Sequence, residues 1–430
     1  MSKLQRVFGD IEVSKDLLLL LCIGGLYSLS ISLSNTFVNV YLWKQSGQFL
    51  DLGIYNLSIV TLQPLTFIVA GRLAKKIDRV MVLRLGVIFL AIFFLSVLII
   101  GSNAAKFLIL LGGTLGVGYG FYWLAFNVLT FEITEPETRD FFNGFLGIMN
   151  STAGMIGPII AGFIISRFEN FTGYTTIFSI SLLLFSGAVI LSFFLKRRPA
   201  DGDYLFIRII KERKNNKNWW LITSAHFFQG LREGTFIFII GVFVFITTGS
   251  ELALGTFGLV NSGVAFLSYY IAARVIKKNR RKPFILIGGS ILYLSISLLI
   301  FDLTYTKLLI YAGLIAIGYP MLLVPYMSLT YDVIGKAWNA AKARIEYIVV
   351  KELFLNAGRI VSILCFIFAI TVFDEKKSIP VLLPIIGMGH LIIFFFVRHV
   401  RIESDDITLE KSKDNSVVKT NVVDGDNSGN

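Results

Sequence analysis

Twelve long apolar runs constrain this chain more than any other feature. They lie at about 17–42, 50–72, 80–101, 105–130, 144–167, 174–195, 219–247, 251–274, 283–301, 306–332, 352–373 and 379–397. A hydrocarbon core of roughly 30 Å needs about 20 apolar residues per helix. Inside it every backbone N–H and C=O must be satisfied within the segment, so each run reads as a membrane-spanning helix. The composition agrees: 55% of the 430 residues are hydrophobic and 16% are charged. Mean hydropathy is +0.73, too apolar for a soluble core of this length. Several runs exceed the required length, which predicts tilt or merged loop turns. The first run is too long for a cleaved signal peptide, lacks a small-residue cleavage site, and is followed by eleven more.

The formal net charge of +12 is explained by where the cations fall. With the N-terminus placed inside, roughly four-fifths of the 40 Lys and Arg residues lie in the inner segments. This asymmetry predicts a multi-pass protein of the cell (cytoplasmic) membrane with both termini in the cytoplasm. The basic excess then faces the inner leaflet of the bilayer and requires no nucleic acid. Cys22 and Cys365 fall inside spans and read as buried, inert thiols. The 3 histidines are too scattered for a metal centre, and no cofactor is expected.

The densest basic stretch, "KRRPADGDYLFIRIIKERKNNKN" (196–218), separates six spans from six. The expected organisation is a cytoplasmic N-terminus (1–16), a six-helix bundle (17–195), the basic central loop (196–218), a second six-helix bundle (219–400) and a disordered cytoplasmic tail (401–430). Internal similarity supports a duplication. "GRLAKKIDR" (71–79) matches "ARVIKKNRR" (273–281) at Arg72/Arg274, Lys75/Lys277, Lys76/Lys278 and Arg79/Arg281. "GVGYGFYWLAFNVLTFEI" (116–133) matches "AIGYPMLLVPYMSLTYDV" (316–333), aligning Tyr119 with Tyr319 and Glu132 with Asp332. Six helices per half put both halves in the same orientation, the parallel repeat of a two-bundle secondary transporter.

On these residues the chain resembles the major facilitator superfamily over about 1–400. The loop after span two is similar to the family pattern Gly-x-Leu-Ala-Asp-Arg-x-Gly-Arg-Lys at Gly71, Leu73, Ala74, Lys76 and Arg79. Lys75 stands where the family prefers Asp, and Asp78 where it prefers Gly. The resemblance implies a conformational latch between the bundles, drawing on Gly71, Arg72, Asp78, Arg79, Glu132, Arg139, Arg274 and Asp332, with Asp78 offering a shifted ion pair. In span five, Gly157-Pro158 followed by Ala161-Gly162 resembles a motif associated with antiporters. Its other reading is close helix packing around a bend. The resemblance also implies an all-α fold of two pseudo-symmetric bundles and a monomer. Spans 1, 2, 4, 5, 7, 8, 10 and 11 would line or flank a central cavity.

Charge deep in an apolar span is costly and should face protein or water. "AHFFQGLREGTFIFIIGVFVF" (225–245) in span seven carries Arg232 and Glu233, and span eleven carries Arg359. Trp219 and Trp220, where span seven starts, suit an interfacial belt. Adjacent helical residues point about 100° apart, so Arg232 and Glu233 should not pair with each other. Glu233–Arg359 and Glu352–Arg232 are the pairings on offer. His226, Gln229 and Glu233 share a helix face. Polar stripes on span one (Ser28, Ser32, Asn35, Asn39) and span four (Tyr119, Trp123, Asn127) complete the candidate set. The charges either bind substrate and exchange a proton or hold spans seven and eleven in register. Pro320 and Pro325 predict a kinked or broken span ten.

The expected function is secondary active transport of a small solute by alternating access, as proton-coupled efflux of an amphipathic compound. Import of a small anionic solute and flipping of a lipid or amphiphile are the alternatives. The sequence shows neither a P-loop nor a clustered catalytic set, so no enzyme activity is expected.

Overall fold

A computed structural model describes residues 14–133, 136–200 and 202–402. The described residues are nearly all helical, with a lone bridge between Asp78 and Pro199 as the only β pairing among them. Among the described residues twelve helices are long and apolar enough to cross a membrane. In the first half they are α1 (Lys15–Ser46), α2 (Phe49–Lys76), α3 (Arg79–Ile100), α4 (Leu108–Ile133), α5 (Pro136–Arg167) and α6 (Thr172–Phe194). In the second half they are α7 (Lys217–Thr248), α8 (Glu251–Val275), α9 (Arg281–Leu294, resuming at Ser297–Ile300), α10 (Tyr305–Gly335), α11 (Arg344–Val372) and α12 (Glu375–Gly387, resuming at Gly389–Val397).

The repeat is visible in helix ends and in packing. Ser14 caps α1 by accepting from Leu17 N at 3.2 Å, and Asn216 caps α7 by accepting from Trp219 N at 3.0 Å. Both helices stop at a left-handed glycine, Gly47 at φ +64° and Gly249 at φ +63°, a conformation that costs glycine no Cβ clash. Within the first half α1 packs on α5 and α6, α2 on α4, and α3 on α4 and α6. The second half repeats each pairing: α7 on α11 and α12, α8 on α10, and α9 on α10 and α12. Between the halves the main seams are α2/α11 and α5/α8, which the repeat itself interchanges.

Several sequence expectations change here. Span ten is unbroken: α10 runs continuously through Pro320 and Pro325, both buried. The interruptions fall in α9 and α12 instead, where Gly387 and Gly389 flank the break. A Cβ on Gly389 would lie 2.2 Å from Phe228 O of α7, so only glycine allows that approach. Cys22 and Cys365 are exposed on the helix surfaces rather than buried. Trp219 is fully buried and donates Nε1–H to Ile209 O at 3.2 Å, while Trp220 is exposed. Ile209 belongs to a short helix, Phe206–Asn215, inside the basic central segment. Trp219 therefore docks that helix instead of serving an interfacial belt.

The face bearing the described chain ends is the basic one. There Arg79 Nε meets Glu132 Oε1 at 2.5 Å, and Arg281 Nη1 meets Asp332 Oδ2 at 2.6 Å. These are equivalent pairs of the two halves. Asp78 turns to its own helix and to the central segment: it caps α3 through Val80 N (2.7 Å) and accepts from Arg197 Nε (3.0 Å). Burial works against its carboxylate, yet the donors of Arg197, Met81, Val80 and Arg198 outweigh it and hold its pKa below the usual range. The link between halves is Lys75 instead. Its Nζ lies 3.3 Å from Glu346 Oε1 and donates to Lys342 O on the far side. Glu346, fully buried, also accepts from Leu205 N at 3.1 Å. Arg72 and Arg274 are exposed, and the side chain of Arg139 lies outside the described residues. The 401–430 tail is described only to Ile402.

Candidate functional site

A cavity of about 610 Å³ lies between the halves, lined from α1, α5, α7, α8, α10 and α11. Most of its wall is apolar, including Ile31, Phe236, Ile240, Phe257 and Ile315, and the charges sit together on one side as Arg232, Glu233 and Arg359. On the face opposite the basic one, Glu251 of α8 closes the molecule. It accepts from Lys44 of α1 at 2.8 Å and from Tyr174 of α6 at 2.9 Å. Phe49 of α2 stands edge-on to Phe243 of α7 and Phe366 of α11.

The charged wall is built by backbone contact between α7 and α11. A Cβ on Gly230 would lie 1.9 Å from Leu355 O, one on Gly358 1.9 Å from Phe227 O, and one on Gly234 2.5 Å from Arg359 O. No other residue permits this approach, the logic of small-residue packing in membranes. The contact brings Arg359 against Glu233. Arg359 Nη2 donates to Glu233 Oε2 at 2.6 Å and Nε at 3.2 Å. Oε1 accepts from Gln229 Nε2 at 2.9 Å and from Tyr319 OH at 2.8 Å. Gln229 Oε1 in turn meets His226 Nδ1 at 2.9 Å. Because the Gln229 amide donates to the carboxylate, its oxygen must accept, which fixes the proton of His226 on Nδ1. Thr235 and Ser362 add a hydroxyl pair at 2.9 Å across the same contact.

Arg232 is different. Its Nη2 donates to Tyr311 OH at 3.0 Å, and its guanidinium lies 4.4 Å from the centre of the Phe236 ring. It has no carboxylate partner among the described residues, and its buried Nε has no hydrogen-bond partner there. The other pairing open in the sequence, Glu352–Arg232, does not form; Glu352 lies 2.8 Å from Lys351. Two guanidiniums face one carboxylate, so the wall carries an excess positive charge.

The remaining candidates divide. Asn35 and Ser32 line the cavity, and Tyr119 reaches Asn35 Oδ1 at 3.2 Å. Asn39 is buried inside the first half, accepting from Asn56 at 2.8 Å. Neither Asn39 nor Asn127 lines the cavity. Gly157 approaches Ser32 of α1, where a Cβ would sit 2.7 Å away, and Pro158 and Pro320 both face the cavity. Sequence reasoning missed Tyr311, Tyr319, Tyr269 and the Lys44–Glu251 closure. For Tyr319 a signal existed: the repeat aligns it with Tyr119, and both reach from the fourth helix of a half to the first.

Known proteins resemble the chain in sequence. The family model described as Major Facilitator Superfamily matches residues 20–342. The Uncharacterized protein YqgE of Bacillus subtilis (strain 168) is 63% identical over 429 residues, 99% of this chain and 100% of that protein. The Uncharacterized protein in sodM 3'region of Geobacillus stearothermophilus is 62% identical over 203 residues, 47% of this chain and 95% of its own length. With twelve apolar helices in two repeated bundles and a cavity between them, the chain belongs to the major facilitator superfamily, a family of membrane transporters.

Proposed function

We propose that the protein moves a small anionic solute together with a proton across the cytoplasmic membrane by alternating access, its basic face in the cytoplasm. The observation that carries this is the guanidinium of Arg232 in the cavity wall, which has no carboxylate partner among the described residues. An anion there gains charge-assisted hydrogen bonds without displacing an existing carboxylate. Glu233 supplies the coupling. Both of its oxygens are already held by Arg359, Gln229 and Tyr319. An anion that draws Arg359 away leaves Glu233 a buried carboxylate short of donors, which favours taking up a proton. Anion and proton then travel in the same direction. In this reading the Lys44–Glu251 pair shuts one side of the cavity between the halves, and opening that side requires the pair to part.

Efflux by proton antiport is the second reading, supported by the Gly157-Pro158 motif and the aromatic cavity wall. It needs a substrate cation to compete with a proton for Glu233. The two differ in sign. Purified protein in proteoliposomes loaded with a pH-sensitive dye is offered carboxylates, phosphates and quaternary amines. An anion that acidifies the lumen with wild type and not with Glu233→Gln is the expected result. Amines that alkalinise the lumen would establish antiport instead, and acidification undiminished in Glu233→Gln would remove Glu233 from the mechanism.

A further inference from the structure

We infer that His226 is a positioning residue for the proton on Glu233: through Gln229 it reads the charge of that carboxylate and carries the change to Thr330 of α10. This rests on the reading of Glu233 as the proton site and adds how its charge is passed to a second helix.

The four residues are buried and in contact one after another. Glu233 Oε1 accepts from Gln229 Nε2 at 2.9 Å, Gln229 Oε1 meets His226 Nδ1 at 2.9 Å, and His226 Nε2 meets Thr330 Oγ1 at 3.3 Å. Thr330 also donates to Tyr326 O of its own helix at 3.0 Å. The repeat keeps that last bond, for Thr130 donates to Phe126 O at 2.8 Å. It does not keep the rest. Matching the ends of α1 and α7 sets Gly24, Tyr27 and Ile31 opposite His226, Gln229 and Glu233. A Cβ on Gly24 would meet the Phe126 ring at 2.9 Å, where His226 lies 4.8 Å from the centre of the Tyr326 ring. The first half thus packs its first helix on its fourth without these polar groups, so packing alone does not call for them in the second.

The direction of the hydrogen bonds is set by the charge on Glu233. With the carboxylate ionised, the Gln229 amide donates to it and the amide oxygen takes the Nδ1 proton of His226. Ring Nε2 is then bare, and it faces an oxygen whose own proton is on Tyr326 O. A proton added to Glu233 goes to Oε1, because Arg359 donates twice to Oε2. That hydroxyl points at the donors of Gln229. Turning the amide over removes the clash: its oxygen accepts from Glu233 and its nitrogen donates to Nδ1. His226 gives up the proton on Nδ1 and takes one on Nε2, which donates to Thr330. The network as a whole gains one proton, and the contact between α7 and α10 gains a hydrogen bond. Neutralising Glu233 fastens α10 to α7.

The test is nitrogen NMR of the full chain in lipid bilayers, isotope-labelled at histidine. The sequence has 3 histidines, and His226→Phe identifies the signals of the ring in question. Protonated and bare ring nitrogens resonate far apart, so the spectrum reads the tautomer without substrate or gradient. Wild type at neutral pH should carry the His226 proton on Nδ1. Glu233→Gln keeps a carbonyl for Arg359 and puts an amide nitrogen where the hydroxyl would be, so the proton should move to Nε2. Gln229→Leu removes the Nδ1 acceptor and leaves the Glu233–Arg359 pair in place. It should also give the Nε2 tautomer, and it carries the test if Glu233→Gln does not fold. An Nδ1 proton retained in either folded variant overturns the inference; that is the result if Tyr319, rather than Gln229, receives the hydroxyl proton. A wild-type ring protonated on both nitrogens, or on Nε2 alone, overturns it as well. If Glu233→Gln moves the tautomer and leaves proton movement undiminished, the link to His226 stands and Glu233 leaves the transport mechanism. If it stops proton movement and the tautomer stays, the reverse holds.

Discussion

Breaking the Glu233–Arg359 contact should be the most informative single perturbation. In Arg359→Met, Glu233 loses the donors at 2.6 Å and 3.2 Å and keeps only Gln229 and Tyr319. Removing one member of a buried pair costs about 3–5 kcal/mol in water-excluded sites. Here the side chains are 9% and 18% exposed, and both line a cavity that water can enter. Solvent relieves part of the penalty, which places the expected loss near 2–3 kcal/mol. Glu233→Gln should lose a similar amount, because it strands Arg359. The double variant, with neither charge, should cost less than the two single losses added together. The coupling energy from the cycle should be about 2 kcal/mol, measured by unfolding equilibria in mixed micelles. A coupling below about 0.5 kcal/mol, the range of an exposed pair, would refute the reasoning and make the contact incidental.

Three further outcomes follow from the geometry. Gly358→Leu should abolish recovery of folded protein, because its Cβ would sit 1.9 Å from Phe227 O; a well-folded Gly358→Leu protein would mean that α7 and α11 can separate. Lys44→Cys with Glu251→Cys, joined by a short reducible bis-thiol cross-linker, should hold the face opposite the basic one shut and stop transport until a reductant is added. Undiminished transport by the cross-linked protein would show that this closure does not open during the cycle. Asp78 has a depressed pKa, so its contribution is fully present above the unfolded carboxylate value of about 3.9 and is lost as pH falls through the lower folded value. Asp78→Asn should therefore flatten the acid limb of the stability profile, and an unchanged acid limb would contradict the assignment.

How much of this was legible in the sequence follows from which interactions are local. Span number and the six-plus-six repeat could be read because bilayer thickness imposes length and composition on each segment separately. The aligned Arg79/Arg281 and Glu132/Asp332 pairs were readable for a similar reason: a repeat conserves its own internal contacts, and both pairs form. The breaks in α9 and α12 were not readable. They answer to close approach by other helices, while Pro320 and Pro325, the obvious local breakers, sit inside an unbroken α10.

The sequence by itself determined that this chain carries twelve runs long and apolar enough to cross a membrane, that its halves repeat, and that charge is carried deep in spans seven and eleven. Tertiary structure alone decided who meets whom. Glu233 found Arg359 rather than Arg232 because glycines let two backbones touch. Lys75 crossed to Glu346 while Asp78 stayed home as a cap, since a side chain's partner depends on the direction it projects from its own helix. The Lys75 crossing in particular arises from how two similar bundles are set against each other, a relation between surfaces far apart in the chain.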